Sequence, residues 1–199
     1  MSQPAYHFDP IVGFHLNGSR PDVCQNGLNF NTIPPVLRAL LAMDGTVTKF
    51  LEAFLWEPIQ VKQLLQHDMA LDHDLPTLET LAGTSVLRRQ VLLQGLKTDA
   101  IYTFAESLIR VDRLWDGIRE DLLQGRLGIG ELLRDRRMET YRAVLTYGRE
   151  EAGTFAEVLK VKADAPVLYR SYCIYTRHLP TILISEKFPE QPFLEARRA

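Results

Sequence analysis

Residues 180–189 read PTILISEKFP, a mostly alternating run with a proline at each end. Successive side chains of a β-strand point to opposite faces, so a strand here places Ile182, Ile184, Glu186 and Phe188 together. One carboxylate thus lies in an otherwise apolar row. Removing an unpaired charge from water costs several kcal/mol, so we expect Glu186 to meet a cation, other polar groups or a ligand.

Residues 85–94, SVLRRQVLLQ, have the same pattern with the opposite charge. As a strand, they place Arg89 on one face with three apolar residues, and Arg88 on the other face. Arg89 and Glu186 could form an internal salt bridge. Alternatively, one of the two strands could be an edge strand whose inner face is exposed to solvent. Held apart across one cavity, the two charges would instead form a two-ended polar clamp suited to a small, partly aromatic acid.

Two further charges lie in apolar rows of predicted strands. Arg170 shares its face with Tyr172 and Ile174, and Glu106 shares its face with Phe104. One of these two charges could pair with the other.

Helices are predicted near the start and in the middle of the chain. The Pro34-Pro35 pair favours the start of a helix that ends at Asp44-Gly45, and a threonine then caps a second short helix. Leucine and isoleucine recur with helical spacing between residues 113 and 133. Strand patterns occupy residues 59–62, 85–94, 101–109, 138–147, 155–161, 167–175 and 181–188. We therefore predict an α+β domain, in which a single antiparallel β-sheet is flanked by helices.

The composition is that of one globular domain. The chain has 199 residues, of which 46% are hydrophobic and 24% are charged, and its net charge is −2. Because it has no clustered basic patch, we expect no nucleic-acid partner. We divide the chain into an irregular leader at residues 1–33, the folded domain at residues 34–192 and a C-terminal tail at residues 193–199.

The sequence disfavours several kinds of site and location. Cys24 and Cys173 are its only cysteines, and no histidine has a partner at metal-ligand spacing, so we predict neither a metal site nor a disulfide framework. No glycine-rich phosphate loop follows a strand, so we predict no nucleotide cofactor. The N-terminus lacks a signal-peptide pattern, and no run of about 18 apolar residues occurs. We therefore expect a cytoplasmic protein with no membrane partner.

Five short motifs occur in the order and approximate spacing of a known enzyme family. They are DGTVTK at 44–49, the strand with Arg89, AESLI at 105–109, GIGELL at 128–133 and ISEKFP at 184–189. With these motifs the chain resembles the chorismate lyase (4-hydroxybenzoate synthase) family, and specifically its branch with an AESLI strand. The resemblance extends from residue 36 to residue 190.

The resemblance implies a cofactor-free lyase that converts chorismate to 4-hydroxybenzoate and pyruvate and so supplies the ring precursor of a quinone pathway. In that family, the arginine that matches Arg89 binds the ring carboxylate, with help from a backbone amide at the position of Val47. The glutamate that matches Glu186 meets the ring hydroxyl, with help from the amide at the position of Ile129. The resemblance thus assigns Arg89 and Glu186 as the catalytic pair.

Chorismate carries a second carboxylate, on its enolpyruvyl group. Our candidates for binding it are Lys49 and Arg170. An alternative function is a non-catalytic sensor domain that binds a small aromatic acid, because effector domains of some transcription regulators resemble the same fold. For either function, we expect a monomer whose partners are small molecules.

Overall fold

A computed structural model describes residues 28, 32–114, 116–124 and 128–196, so most of the predicted leader lies outside the described residues. The described part forms one six-stranded antiparallel sheet with the strand order β1-β2-β3-β6-β5-β4. The strands are β1 (Ile59–Ala70), β2 (Ser85–Gly95), β3 (Ile101–Ile109), β4 (Thr140–Glu151), β5 (Pro166–Thr176) and β6 (Leu179–Pro189). The prediction of an α+β domain with a single antiparallel sheet is confirmed.

Helices accompany the sheet along the whole described chain. They are α1 (Pro35–Ala42), α2 (Val47–Leu55), α3 (Asp116–Leu123), α4 (Ile129–Asp135), α5 (Ala156–Leu159) and α6 (Glu190–Ala196). Among the residues described, no helix is long and apolar enough to cross a membrane. Helix α6 follows β6 directly and crosses the predicted limit at residue 192; the division of the chain into three segments stays a prediction.

The larger hydrophobic core lies between the helices and one face of the sheet. Leu37, Leu40 and Leu41 of α1 recur with the spacing of one helical face and are fully buried. They belong to one apolar cluster with Leu168 and Tyr172 of β5. This packing holds the end of α1, and the Asp44-Gly45 corner that follows it, against the sheet.

The prediction of a strand at residues 155–161 is wrong. This segment forms the end of a 3₁₀ turn and the short helix α5. Phe155 and Leu159 are four residues apart, which places them on one helical face, and they pack in a second apolar cluster with Phe104. The ring centroids of Phe155 and Phe104 are 5.3 Å apart. The segment connects β4 to β5 in the chain, but it packs over β3 instead of joining the sheet. The four-residue spacing of its apolar residues is the pattern that indicates a helix.

Candidate active site

A cavity lies between the sheet and the starts of helices α2 and α4. Residues 45–48 and 128–130 line it from the two helix starts, and side chains of five strands line it from the sheet. Its apolar and small strand residues are Val91, Leu93, Ala105, Ile174 and Ile184. Along each strand the lining residues are two positions apart, because only every second side chain points to one face.

The two charges of the predicted clamp, Arg89 and Glu186, both line this cavity. Arg89 lies on β2 and Glu186 on β6, and β3 separates these strands. In the sheet register, Arg89 is opposite Ser107, while Glu186 is opposite Ala105. Because neighbouring strands are about 4.8 Å apart, the two backbone positions are separated by about 10 Å across the sheet. The charges therefore approach one cavity from two sides.

The strand pattern of β2 separates its two adjacent arginines. Arg89 is 1% exposed, and its burial lowers the pKa of its guanidinium. The Arg88 side chain is 38% exposed and forms an ion pair of 2.6 Å with Glu106. Glu106 is therefore the partner of Arg88 and not of Arg170. Only Arg89 of the two arginines lines the cavity.

The buried partner of Glu186 is Arg170. Nε of Arg170 donates to Oε2 of Glu186 at 2.7 Å, and both side chains are almost completely buried. Nη1 of Arg170 also donates to the carbonyl of Met43 at 2.9 Å. Burial is the largest single influence and would lower the pKa of Arg170, but the charge of Glu186 and the interactions with Glu186 and Tyr172 together raise that pKa. Arg170 therefore stays charged and ties Glu186 to the end of helix α1.

Tyr172 contributes a second hydrogen bond to Glu186. Its hydroxyl donates to Oε1 of Glu186 at 3.1 Å, and Tyr172 also lines the cavity. Burial and the nearby carboxylate raise the pKa of the Tyr172 hydroxyl, so it remains a donor at neutral pH. The guanidinium of Arg170 lies 4.9 Å from the centre of the Tyr172 ring. Each oxygen of Glu186 thus has a donor within the protein.

The starts of α2 and α4 are joined to each other above the cavity. The side chain of Thr46 does not cap α2; its Oγ1 instead donates to the carbonyl of Gly130 at 3.2 Å. A Cβ atom added to Gly130 would also lie 3.2 Å from this threonine. Val47 and Ile129 are the first residues of these helices, so their N–H groups have no acceptor within the helix. Both residues line the cavity.

Four of the six predicted site residues meet at the cavity, namely Arg89, Glu186, Val47 and Ile129. Arg170 does not line the cavity itself but contacts Glu186 and Tyr172, which do. The Lys49 side chain is 52% exposed, forms an ion pair of 2.6 Å with Glu52 and does not line the cavity. The contacts of these residues with a ligand stay predictions.

Sequence reasoning did not predict several polar residues of the cavity as site residues, among them Ser107, Arg142 and Tyr172. Tyr172 was recognised only as a neighbour of Arg170 on β5. Arg142 lies on the edge strand β4, opposite Ile174. The pairing of β4 with β5 brings Arg142 to the cavity, and a single strand does not reveal that pairing.

The same fold occurs in PhnF and in a domain of a bacterial repressor. The chain superposes on PhnF from Mycobacterium smegmatis with a TM-score of 0.61 and 15% identity, over 75% of this chain and 65% of that one. For the effector domain of PhnF alone the TM-score is 0.60 with 16% identity, over 74% of this chain and 90% of that domain. The C-terminal domain of the histidine utilization repressor from Pseudomonas syringae gives 0.52 with 13% identity, over 67% and 92%. These similarities show the fold alone.

Comparison with sequence families shows to which family the chain belongs. The family described as "Chorismate pyruvate-lyase Rv2949c-like" matches residues 41–197, and the chain belongs to it. The chorismate pyruvate-lyase of Mycobacterium leprae is 36% identical over 106 residues, which are 53% of this chain and 50% of that protein. The chorismate pyruvate-lyase of Mycobacterium tuberculosis H37Rv is 26% identical over 164 residues, 80% of this chain and 82% of that protein.

Proposed function

We propose that this protein is a chorismate pyruvate-lyase, which converts chorismate to 4-hydroxybenzoate and pyruvate. The observation that carries the proposal is that Arg89 and Glu186 line one cavity from strands two positions apart in the sheet. Ala105 and Ser107 of the intervening strand and apolar side chains of the neighbouring strands line the same cavity. A benzoate ring with a carboxylate at one end and a hydroxyl at the other has this chemistry. Family membership supports the same substrate.

The reaction needs little from the protein beyond placement of the substrate. The bond between C3 of the ring and the ether oxygen breaks, and the hydrogen at C4 is lost. The electron pair of the C4–H bond forms the new double bond between C4 and C3, and the ring becomes aromatic. The leaving group is the enolate of pyruvate, and the hydrogen from C4 ends on its methylene carbon. Because aromatisation drives the reaction, fixing the conformation and placing charges are sufficient contributions.

In this proposal, the residues at the two ends have different tasks. Arg89 and the amide of Val47 hold the ring carboxylate, while Glu186 and the amide of Ile129 hold the ring hydroxyl. The oxygens of Glu186 already accept hydrogen bonds from Arg170 and Tyr172, which hold the carboxylate in a fixed position at the cavity. We therefore assign Glu186 to binding the hydroxyl, and the hydrogen at C4 passes directly to the departing methylene.

A sensor domain without catalytic activity is the second candidate. It is favoured by the similarity of the fold to PhnF and to the repressor domain. A sensor would bind 4-hydroxybenzoate or a related acid in the same cavity and would not convert chorismate. Turnover therefore separates the two functions.

We expect purified protein to release 4-hydroxybenzoate and pyruvate in equal molar amounts from chorismate, over many turnovers. No residue cluster capable of holding a metal occurs in the described part of the chain, and we expect the rate to be unchanged in excess EDTA. Quantifying both products by chromatography against a protein-free sample is the test. Binding of chorismate without conversion would support the sensor, and a strict need for Mg²⁺ would contradict the mechanism.

The proposed enzyme also has a proposed location, oligomeric state and set of partners. We propose that it works in the cytoplasm as a monomer and that its product is an aromatic precursor for a quinone pathway. Its partners would then be the small molecules chorismate and 4-hydroxybenzoate.

A further inference from the structure

The second carboxylate of chorismate needs a binding group that the clamp does not supply. This inference rests on the proposed lyase function. The ring carboxylate at C1 is assigned to Arg89 and the hydroxyl at C4 to Glu186. The enolpyruvyl ether is attached at C3, next to C4, so its carboxylate projects from the Glu186 end of the cavity. A cation that binds this carboxylate must therefore lie beyond Glu186 in the strand order, on the side away from Arg89.

Arg142 meets this requirement of position. From β2, which carries Arg89, the strand order continues through β3, β6 and β5 to β4, which carries Arg142. Arg142 therefore lies beyond Glu186 as seen from Arg89. It pairs with Ile174 on β5, and both residues line the cavity. Among the cavity-lining residues in the described part of the chain, Arg89 and Arg142 are the cations.

The contacts of Arg142 leave a donor available to a ligand. Its side chain is 14% exposed, and Nη1 donates to Oδ1 of Asp44 at 3.2 Å and to the Asp44 carbonyl at 3.5 Å. Nε of Arg142 is buried and has no acceptor among the residues that the structure describes. A buried N–H without an acceptor is unfavourable, and a carboxylate is a strong acceptor for a guanidinium.

The other two candidate cations are less suited to this task. Arg170 donates to Glu186, to the Met43 carbonyl and, at 3.5 Å, to the Leu41 carbonyl, all within the protein. Lys49 is exposed and pairs with Glu52.

We propose that Arg142 binds the enolpyruvyl carboxylate through its Nε side, and that its partly exposed ion pair with Asp44 adds little to this binding. Arg142 thereby distinguishes the dicarboxylate substrate from the monocarboxylate product. Once the pyruvate has left, 4-hydroxybenzoate keeps only the contacts at Arg89 and Glu186.

The test compares two ligands that differ in the second carboxylate. The first is 3-(1-carboxyethoxy)-4-hydroxybenzoate, a stable aromatic ether with both carboxylates, and the second is 4-hydroxybenzoate. We expect Arg142→Gln to weaken calorimetric binding of the dicarboxylate about 10- to 100-fold, the loss of one charged hydrogen bond, and to change that of 4-hydroxybenzoate less than about twofold. Arg142→Lys, which keeps the charge, should lose less affinity than Arg142→Gln. Equal losses for both ligands would overturn the proposal.

Asp44→Asn is the matched control, because it removes the ion pair of Arg142 and keeps the cation. We expect it to leave dicarboxylate binding within about threefold of the unmodified protein, since the pair is partly exposed. If Asp44→Asn reproduced the full loss seen in Arg142→Gln, Arg142 would act only by anchoring the corner before α2, and the inference would be wrong. These measurements need no turnover, so the inference and the lyase activity can fail separately.

Discussion

Replacing Arg89 with methionine is expected to lower kcat/KM for chorismate by about 10²–10³-fold while the protein stays folded. Arg89 is almost completely buried at the cavity, where a charged hydrogen bond is worth more than in water. Methionine retains the length of the apolar stem and removes the charge. Steady-state kinetics and the unfolding midpoint in urea measure the two halves of this prediction.

Arg88→Met is the matched control on the same strand. Arg88 lies on the opposite face and pairs with Glu106 where both side chains are partly exposed. We expect kcat/KM to change less than about twofold and the stability to fall by at most about 1 kcal/mol. Similar losses of activity in both variants would mean that the charge at position 89 is not the binding group.

Arg170→Met is expected to lower the free energy of unfolding by about 3–5 kcal/mol. The variant leaves Glu186 buried without its cation and frees the carbonyl of Met43. The expected loss is the cost of an uncompensated buried charge, which the hydrogen bond from Tyr172 only partly offsets. Urea unfolding followed by circular dichroism measures it.

Two variants separate this cause from a general effect of losing an arginine. Arg136 pairs with Asp121 on the surface, so Arg136→Met should cost less than about 1 kcal/mol. The double variant Arg170→Met/Glu186→Leu removes both buried charges and should recover much of the lost stability. A double variant as unstable as the sum of the two single variants would show that the ion pair is not the source of the loss.

The faces of β2 and β6 could be predicted from the sequence because one side of each of these strands packs in the larger hydrophobic core. Period-two alternation placed Arg89 and Glu186 on buried faces and Arg88 on the opposite one, and the structure has them there. The helix bounds near Pro35 and Asp44 followed from local backbone preferences. By contrast, β1 extends far past the predicted residues 59–62, because as an edge strand it leaves many side chains exposed and its alternation is weak.

Contacts between strands could not be predicted in the same way. The pairing of Arg170 with Glu186 depends on the register of β5 against β6, and the sequence left Glu106 as another partner. The position of Arg142 depends on β4 being the edge strand next to β5. These are relations between distant segments, whereas alternation within a strand reports only which face a side chain occupies.

In the proposed site, Arg89 and Glu186 hold the two ends of one aromatic acid. Calorimetric titration with 4-hydroxybenzoate, 3-hydroxybenzoate and benzoate tests it most directly, because the three ligands share the carboxylate and differ only in the hydroxyl. We predict that 4-hydroxybenzoate binds at least about tenfold more tightly than benzoate, since only its hydroxyl reaches Glu186, and that 3-hydroxybenzoate resembles benzoate. Equal affinities for 4-hydroxybenzoate and benzoate would contradict this assignment, because Glu186 would then not meet the hydroxyl.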